Sequence, residues 1–285
     1  MLFITGTTGT VGSEVIKQLS EKGVKIRAAV HTPSKAEMLK GYNVEIVAFD
    51  FDKPETYDAA LEGVEKVFFL GYANPTFTET SRRFAEAAKA AGVVHFVKLS
   101  AYGADFAPEF LIAKAHRESE EAIESTGIAY THLRPNVFMQ NFINYHGHLI
   151  KSSGKLYLPH GDANVSFIDV RDVATAAVDV LTHGGHEGKG YTLTGSEVLS
   201  YYQATEMLSQ AAGRKILYVD ISKEEARKQL AAMGQPDFFV EISLNMADFS
   251  KSGGFSRITT VYEEITGKKP IAFAQFAKDY VEAFK

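Results

Sequence analysis

The first residues with recognisable chemistry form a glycine-rich turn near the start of the chain. The segment separates an apolar run from an amphipathic stretch and reads Thr5-Gly6-Thr7-Thr8-Gly9-Thr10-Val11-Gly12. In such a turn the first glycine allows a sharp bend, the second lets backbone amides approach a pyrophosphate, and the third permits close helix–sheet packing. The partial positive charge of a helix amino terminus also favours an anion. The pattern predicts a dinucleotide site over Gly6, Thr8, Gly9, Thr10, Val11 and Gly12; a ligand-free strand–helix turn is the alternative.

The next apolar run indicates which dinucleotide is preferred. A site for NAD normally ends this strand with Asp or Glu, which accepts hydrogen bonds from the ribose hydroxyls. Here the run continues into His31, Thr32, Ser34 and Lys35 without an acid. His31 and Lys35 would instead donate to a 2′-phosphate. The sequence therefore favours NADP(H), with NAD(H) as the alternative; Thr32 and Ser34 serve equally well as helix caps.

Two later strand ends supply further candidates for the nucleotide. Asp50 and Phe51 close the third apolar run, where a carboxylate accepts from an adenine amino group. Alternatively, Asp50 and Asp52 only end the strand and cap the next helix. Gly71 and Tyr72 follow the fourth run, where a small residue allows the backbone to line the cofactor. We predict that Asp50, Phe51, Gly71 and Tyr72 contact the bound dinucleotide.

These candidates belong to a regular alternation of apolar and amphipathic segments. Short runs rich in Val, Ile and Phe cover residues 2–5, 25–30, 44–49, 66–70, 94–99 and 129–133. They are apolar on both faces, which is typical of buried parallel strands. The segments between them predict helices over residues 11–22, 33–40, 54–62, 78–91 and 109–126. Left-handed helix ends are predicted at Gly23, Gly41, Gly63, Gly92 and Gly127. This alternation predicts an α/β fold, a Rossmann-type doubly wound parallel sheet.

The alternation breaks after Arg134. Residues 136–163 are rich in Asn, His, Phe and Tyr and suit a pocket-forming excursion, whereas residues 165–182 and 191–193 suit a return to the sheet. From residue 200 onward the pattern is mixed. We predict an NAD(P)-binding core over residues 1–135, to which residues 164–195 return. A smaller mixed α/β lobe over residues 136–163 and 196–285 would cover the substrate.

Composition excludes several classes of function. The 285 residues are 45% hydrophobic and 23% charged, which is ordinary for a globular protein. Because the chain has no cysteine, thiol catalysis and zinc-thiolate or iron–sulfur sites are excluded. A net charge of −5 without a basic run argues against direct nucleic-acid binding. With no signal peptide or long apolar stretch, we expect a cytoplasmic monomer or homodimer that acts on a small molecule away from membranes.

Several segments resemble the NmrA-like atypical short-chain dehydrogenases. Beyond the glycine turn and Asp50-Phe51, they read LRPNVFMQN (133–141), FIDVRDVA (167–174) and YTLTG (191–195). The resemblance covers essentially the whole chain and is nearest to NADPH-dependent quinone oxidoreductases and triphenylmethane or azo-dye reductases. It implies the Rossmann fold and NADP(H). Because NmrA itself is a redox-sensing regulator that binds dinucleotide without obvious turnover, family membership leaves the activity open.

The usual catalytic pair of short-chain dehydrogenases is missing. In that pair a Lys, four residues after a Tyr, lowers the phenol pKa so that Tyr transfers a proton. The corresponding helix places Phe110 four residues before Lys114, and the resemblance places Ile112 and His116 at the Tyr and Lys positions. Neither register supplies a phenol. This disfavours alcohol oxidation and nucleotide-sugar epimerisation, and it is equally compatible with a non-catalytic NADP(H) sensor.

A quinone or conjugated dye needs less assistance, because it accepts hydride directly and yields a stabilised anion. The sequence therefore predicts an NAD(P)H-dependent oxidoreductase that orients the nicotinamide against such an acceptor. Candidate catalytic residues are Ser100, which we also expect beside the cofactor, Tyr102 and His116. His116 would orient substrate or relay a proton near neutral pH. Alternatively, His116 is a surface residue of its helix and Tyr102 only packs.

The excursion after the sixth run contains the predicted acceptor pocket. By the resemblance, Pro135 and Asn136 border the nicotinamide. Aromatic residues with a few polar groups suit a flat ring, and here they are Phe138, Met139, Asn141 and Tyr145. The same stretch also suits a helix whose apolar face packs on the core. His146 and His148 have no carboxylate nearby in the sequence, so we predict no metal site.

Overall fold

The computed structural model describes residues 1–285, apart from the side chain of Pro33. In these residues the strands are β1 (Leu2–Ile4), β2 (Ile26–Val30), β3 (Val44–Ala48), β4 (Lys66–Phe69), β5 (His95–Leu99), β6 (Tyr130–Pro135), β7 (Lys155–Leu158), β8 (Asn164–Val165), β9 (Lys189–Leu193), β10 (Leu199–Ser200) and β11 (Leu217–Asp220). The helices are α1 (Thr10–Glu21), α2 (Tyr57–Leu61), α3 (Phe77–Ala90), α4 (Leu111–Ser125), α5 (Asn141–Asn144), α6 (Gly147–Ser153), α7 (Val170–Thr182), α8 (Tyr201–Ala212), α9 (Lys223–Ala232), α10 (Asp237–Lys251), α11 (Val261–Thr266) and α12 (Phe273–Asp279). Short 3₁₀ helices cover Pro33–Leu39, Pro54–Thr56 and Val281–Ala283.

A seven-stranded sheet in the described residues has the order β3-β2-β1-β4-β5-β6-β9. Every neighbouring pair in it is parallel. The first six strands follow the Rossmann order, and the predicted fold class is therefore confirmed. The chain reverses direction across the sheet between β1 and β4. Ligands of open α/β sheets bind in the crevice at the carboxyl ends of the strands beside such a switch point.

Both faces of the sheet are covered by helices. On one face, α1 and α7 bury aliphatic residues such as Ile16 and Val173 against β1 and its neighbours. On the other face, α2, α3 and α4 enclose an aromatic cluster in which the Phe84 ring lies 5.7 Å from that of Phe96. These buried faces explain why the strands read as continuous apolar runs.

The remaining strands and helices pack around a separate apolar cluster. Strand β7 pairs with β11, and β8 pairs with β10. The cluster includes Phe142 and Phe167 together with Phe273, Phe276 and Phe284 from the end of the chain. Strand β9 pairs with β6 and so lies in the main sheet. The predicted strand over 165–168 is shorter than expected: β8 ends at Val165, and Ile168 forms an isolated bridge with Phe138.

Some local predictions differ from the structure. The predicted helix over 33–40 is a 3₁₀ helix, in which Leu39 is the residue that is buried among those described. With so little packing, the segment has no apolar face to stabilise a full α-helix. The Thr32 hydroxyl and the Asp52 carboxylate also make no capping hydrogen bond to the described residues. The five predicted helix-ending glycines do have positive φ.

None of the helices among the described residues is both long and apolar enough to cross a bilayer.

Candidate active site

The glycine turn lies between β1 and α1, and its three glycines are under different constraints. Gly6 has φ +61°, and a Cβ there would stand 2.9 Å from Cβ of Leu70. A Cβ on Gly12 would stand 2.2 Å from the Gly6 carbonyl oxygen, whereas one on Gly9 would meet only that oxygen, at 3.3 Å. The folded chain itself therefore excludes side chains at Gly6 and Gly12. At Gly9, the missing side chain instead leaves room for a ligand to approach the backbone.

Threonine hydroxyl groups fix the same turn to the sheet. The Thr7 hydroxyl donates to the carbonyl of Ala29 at 2.7 Å, and the Thr5 hydroxyl accepts from the Leu70 amide at 2.8 Å. Gly9 is the N-cap of α1 and has extended backbone, with no side-chain capping bond from the described residues. Amides in the first turn of α1 are therefore free to bind an anion.

The other predicted residues of the turn have distinct positions. Thr8 lines a cleft with a volume of about 320 Å³. The Thr10 hydroxyl accepts a hydrogen bond from the Asn144 amide at 3.0 Å, which ties α1 to α5. Val11 is buried. The hydroxyl of Thr10 and the side chain of Val11 thus position the turn, and their backbone amides are the groups predicted to bind a pyrophosphate.

The cleft lies at the carboxyl ends of β1, β2 and β4. It brings together many of the residues that the sequence predicted for the cofactor, namely Gly6, Thr8, His31, Lys35, Asp50, Phe51, Gly71 and Tyr72. It is also lined by residues that the sequence did not single out, including Phe49, Phe69, Asn74, Phe77 and Thr80. The cleft thus has an aromatic lining, with His31 and Lys35 at its rim.

His31 and Asp50 lie in contact at this rim, a pairing that sequence reasoning missed. The His31 Nε2 lies 3.3 Å from Asp50 Oδ2, and the Lys53 Nζ lies 3.7 Å from the same oxygen. A hydrogen bond from the Asp52 amide lowers the pKa of Asp50, as do the nearby His31 and Lys53. A carboxylate does therefore lie near the end of β2, although it is supplied by the loop after β3 and already has cationic partners.

Two aromatic rings explain why the residue after β4 is glycine. A Cβ on Gly71 would stand 2.5 Å from the Phe77 ring and 2.7 Å from the Phe69 ring. Phe51 is half-buried and meets Phe69 edge-on, with ring centroids 5.4 Å apart. Tyr72 is 81% exposed. Gly71 and Phe51 thus form part of the aromatic wall, and Tyr72 stands at the open side.

A buried lysine that the sequence analysis did not consider lies beside two of the predicted catalytic residues. Lys98, on β5, is 0% exposed, and its Nζ lies 3.1 Å from the Ser100 hydroxyl oxygen and 2.9 Å from His116 Nδ1. Burial lowers the pKa of Lys98 to about 7. Burial and the Lys98 charge hold the pKa of His116 well below its usual value. The signal for Lys98 in the sequence was its position inside the run 94–99, which was predicted to be buried on both faces.

Ser100 connects Lys98 to a buried carboxylate. The Ser100 hydroxyl donates to Glu120 Oε1 at 2.5 Å, and Arg134 donates to the two oxygens of Glu120 at 2.9 and 2.7 Å. Burial alone would raise the pKa of Glu120, but the hydrogen bonds from Arg134 and the nearby cations lower it to about 2. Glu120 is therefore a carboxylate at neutral pH, and in this arrangement the Ser100 proton points to it.

Glu120, Glu124 and His132 lie close enough together to hold a metal ion, but the two carboxylates already have cationic partners. Oxygens of Glu120 and Glu124 lie close to His132. Arg117 donates to Glu120 at 3.1 Å and to Glu124 at 3.0 Å. Because a guanidinium ion neutralises these carboxylates, the cluster is a salt-bridge network.

Pro135 and Asn136 join the end of β6 to the second apolar cluster. Both residues are buried. The Asn136 amide donates to the Ser166 hydroxyl at 2.7 Å and to the Phe255 carbonyl at 3.0 Å. Its side chain therefore holds the chain after β6 in place, and a role beside the nicotinamide would use its backbone and that of Pro135.

The remaining predicted residues differ in exposure. Tyr102 is 2% exposed, and its phenol has no hydrogen-bond partner among the described residues. Burial raises the pKa of Tyr102. In the predicted acceptor pocket, Met139 is buried, Phe138 and Asn141 are half-buried, and Tyr145 is 72% exposed. Of this group, Tyr145 presents its ring to solvent and Met139 packs in the core.

Comparison with known proteins agrees with this architecture. The profile of the NmrA-like family matches residues 1–268. The NAD(P)H azoreductase of Xenophilus azovorans is 35% identical over 284 residues, covering 100% of this chain and 99% of the relative. The Citrobacter sp. triphenylmethane reductase complexed with NADP(H) has a TM-score of 0.86 at 28% identity, over 98% of this chain and 99% of that one. An Escherichia coli NADPH-dependent quinone oxidoreductase complexed with NADPH gives the same TM-score of 0.86, identity of 28% and coverage of 98% and 99%.

The sheet order and the glycine-turn cleft define a Rossmann-type protein of the dinucleotide-binding class. Within that class, the chain belongs to the NmrA-like family. The resemblance inferred from the sequence is therefore confirmed.

Proposed function

We propose that this protein is an NADPH-dependent reductase that delivers hydride to a quinone-like or dye-like acceptor. The observation that carries the proposal is the cleft at the switch point of the sheet. Its lining ends at Thr8, directly before the open backbone at Gly9 and the uncapped amino terminus of α1, and His31 and Lys35 lie at its rim. Bound NADPH would supply the hydride from its nicotinamide.

Each part of the cleft matches one part of the dinucleotide. The amides at the start of α1 would hold the pyrophosphate, and the aromatic wall containing Phe51 would hold the adenine, with Asp50 at its amino group. His31 and Lys35 would donate to the 2′-phosphate. Pro135 and Asn136 would border the nicotinamide. NADPH is preferred over NADH because the residues that follow β2 include His31 and Lys35 but no acid, and the nearby Asp50 already pairs with His31.

The names of the relatives and the absence of a Tyr and Lys pair both support a quinone-like or dye-like acceptor. The relatives are named for the reduction of azo compounds, quinones and triphenylmethane dyes. A Tyr and Lys pair at the usual spacing is absent from the sequence of α4. Acceptors that take hydride without prior protonation do not need that pair, so orientation of the nicotinamide is the main contribution of the protein.

The proposal extends to the organisation of the chain. Residues 1–135 and 164–195 would form the dinucleotide-binding core, and residues 136–163 and 196–285 the part that covers the acceptor. The protein would act in the cytoplasm as a monomer or homodimer. Sedimentation of the purified protein with and without NADPH would determine its oligomeric state.

The direct test is NADPH oxidation by the purified protein, followed by absorbance with a panel of simple quinones. We expect turnover above the uncatalysed rate, and faster turnover with NADPH than with NADH. NADPH binding to the same preparation is measured by fluorescence titration. If NADPH binds but no quinone or dye accelerates its oxidation, the reductase proposal is wrong and a dinucleotide-sensing role replaces it.

A further inference from the structure

We infer that Lys98 supplies the proton that accompanies hydride transfer and that it acts through His116. This inference rests on the proposed reductase function. It assigns the role of the missing helix lysine to an ammonium group carried by strand β5. Lys98 is thus a positioning and proton-supplying residue, and His116 is the group that would meet the reduced acceptor.

The contacts of Lys98 suit a proton donor better than a structural ion pair. A buried lysine normally pairs with a carboxylate, because an unpaired buried charge is costly. Lys98 instead meets two neutral groups, the Ser100 hydroxyl at 3.1 Å and His116 Nδ1 at 2.9 Å. Its nearest anion, Glu120, is reached through Ser100. This arrangement keeps the proton of Lys98 transferable, whereas a direct ion pair would hold it.

His116 connects the buried lysine to the region of the cofactor cleft. The residue is half-buried, and its Nε2 makes no hydrogen bond to the described residues. Its ring lies edge-on to Phe77, with centroids 5.1 Å apart, and Lys98 Nζ lies 5.4 Å from the centre of that same ring. Phe77 lines the cleft, whereas His116 and Lys98 do not, so the pair adjoins the cleft at this ring and the acceptor would meet Nε2 beside it.

The proton transfer balances without any additional reagent. Since Nδ1 of neutral His116 accepts from the Lys98 ammonium, its proton is on Nε2. As hydride, which bound NADPH would supply, adds to the quinone, the Nε2–H bond breaks and its proton moves to the oxygen on which negative charge develops. At the same time Nδ1 takes a proton from Lys98. His116 then remains neutral in its other tautomer, Lys98 is a neutral amine, and a proton from solvent restores both.

The surrounding groups favour a lysine that changes protonation near neutral pH. Glu120 from α4 raises the pKa of Lys98, whereas burial and Arg134 from β6 lower it, with about 7 as the result. Ser100 and His116 are its uncharged polar neighbours, and α3 contributes only the Phe77 ring. A donor with a pKa near the working pH is the most effective general acid.

Comparing the reduction rates of two classes of acceptor distinguishes proton supply from hydride transfer. A quinone requires hydride and a proton, whereas a cationic triphenylmethane dye becomes neutral on accepting hydride alone. For Lys98→Met we expect the quinone rate to fall by about a hundredfold, the size typical of lost general acid catalysis. Reduction of the cationic dye and NADPH affinity should stay within about twofold, since neither uses the proton. His116→Gln should reproduce this selective loss.

Lys114→Met is the matched control, because Lys114 is an exposed lysine on the same helix as His116. It should leave both acceptors unaffected. Equal losses with quinone and dye in Lys98→Met would overturn the inference and indicate a structural role, as would unchanged rates with both. Failure of the wild-type protein to reduce either acceptor would instead reject the proposed function itself.

The wild-type protein provides a second test that does not depend on the folding of a variant. The ratio of quinone rate to cationic-dye rate should fall as the pH rises through the pKa of Lys98, near 7. The protonated lysine is the donor, so its loss affects only the acceptor that needs a proton. A ratio that stays flat from pH 6 to 9 would contradict the inference, given a proton donor that titrates at about 7.

Discussion

Gly9 differs from the other glycines of the turn because a Cβ there would make a single tight contact, with a backbone oxygen. Its backbone is extended rather than left-handed, with φ −91°. A Cβ would meet only the Gly6 carbonyl oxygen, at 3.3 Å. Gly6 and Gly12, in contrast, are required by packing within the chain. The motif therefore contains two structural glycines and one, Gly9, that we propose admits the ligand.

Gly9→Val should abolish tight NADPH binding while the protein stays folded. The added side chain would block the first-turn amides of α1, and we expect the affinity to fall by about tenfold or more, a cost of ~1.4 kcal/mol. Calorimetric titration with NADPH measures this, and thermal unfolding checks the fold. Gly184→Val is the matched control, because nothing lies within 4 Å of a Cβ at Gly184. Unchanged NADPH affinity in Gly9→Val would refute the placement of the pyrophosphate.

His31→Asp should shift the cofactor preference towards NADH. The variant removes a donor to the 2′-phosphate and places a second carboxylate beside Asp50, which lies 3.3 Å from the His31 ring. Two carboxylates would repel the phosphate but still accept from a ribose hydroxyl. The ratio of kcat/KM for NADPH to that for NADH is the measurement. A ratio equal to that of the wild type would mean that the 2′-phosphate is held elsewhere.

Helix α4 and strands β5 and β6 act together through the buried Glu120. The carboxylate accepts from Ser100 on the β5 side and from Arg134 on β6. The Arg134 guanidinium group also lies against Gly190 of β9, where a Cβ would be 2.6 Å from its Nη1. Glu120 thus links the carboxyl ends of β5 and β6, and its partner Arg134 extends the contact to β9.

Glu120→Gln should destabilise the fold more than the same substitution at any surface glutamate of α4. Losing this partner leaves Arg134 with Asp105 as its remaining counter-ion, at 2.8 Å, so we expect a cost below the about 3–5 kcal/mol that is typical of breaking a buried ion pair. Denaturant unfolding at pH 7 measures the loss, and Glu121→Gln, with a side chain 59% exposed, is the control that should change little. Because the folded pKa of Glu120 is low, at about 2, its contribution is present above pH 4.5 and lost as the pH falls towards 2. A variant with wild-type stability at pH 7 would contradict this account.

The sequence was most informative about elements that depend on local pattern. Predicted runs such as 25–30 and 66–70 agree with β2 and β4 within a residue, because two-sided burial makes each strand read as apolar throughout. The glycine spacing located the cleft because a Cβ on Gly12 would meet the backbone of Gly6, and because Gly6 has a φ of +61°. These signals are visible without knowledge of distant contacts, whereas the contact between Gly6 and Leu70 is not.

Other features depend on contacts between residues far apart in the chain and were not predictable in that way. The pairing of His31 with Asp50 requires the loops after β2 and β3 to meet. The meeting of Lys98 with His116 requires α4 to pack on β5, and a search for lysine along the helix alone therefore missed it. The segment after Thr32 was predicted as α-helix because the pattern of residues 33–40 does not reveal how little of it would be buried.

At the scale of the whole molecule, the end of the chain contributes to the second apolar cluster. Phe276 on α12 is 0% exposed and packs near Phe273 and Phe284. These residues lie beyond the part of the chain that the family profile matches, which ends at residue 268. Their burial nevertheless makes them part of the same folded body as Phe142 and Phe167.

Phe276→Ala should reduce the free energy of unfolding by about 3–5 kcal/mol, as large-to-small changes in a packed core do. Phe238→Ala is the matched control, because Phe238 is 51% exposed. Denaturant titration of both variants provides the measurement. Equal stability of the two variants would mean that the carboxyl-terminal helix does not pack as described.

The position of β9 at the edge of the sheet has a consequence for how the chain folds during synthesis. Strands β1 to β6 can pair as they emerge, but β9 reaches β6 only after β7, β8 and α7 have been made. Long-range pairing of this kind is slow, because the intervening chain must be ordered first. Until then β6 presents unpaired backbone groups along an open edge, which can recruit a strand from another chain. We therefore expect aggregation during refolding to increase as docking of residues 189–193 on β6 becomes slower. It should be greatest for variants that destabilise the segment between β6 and β9.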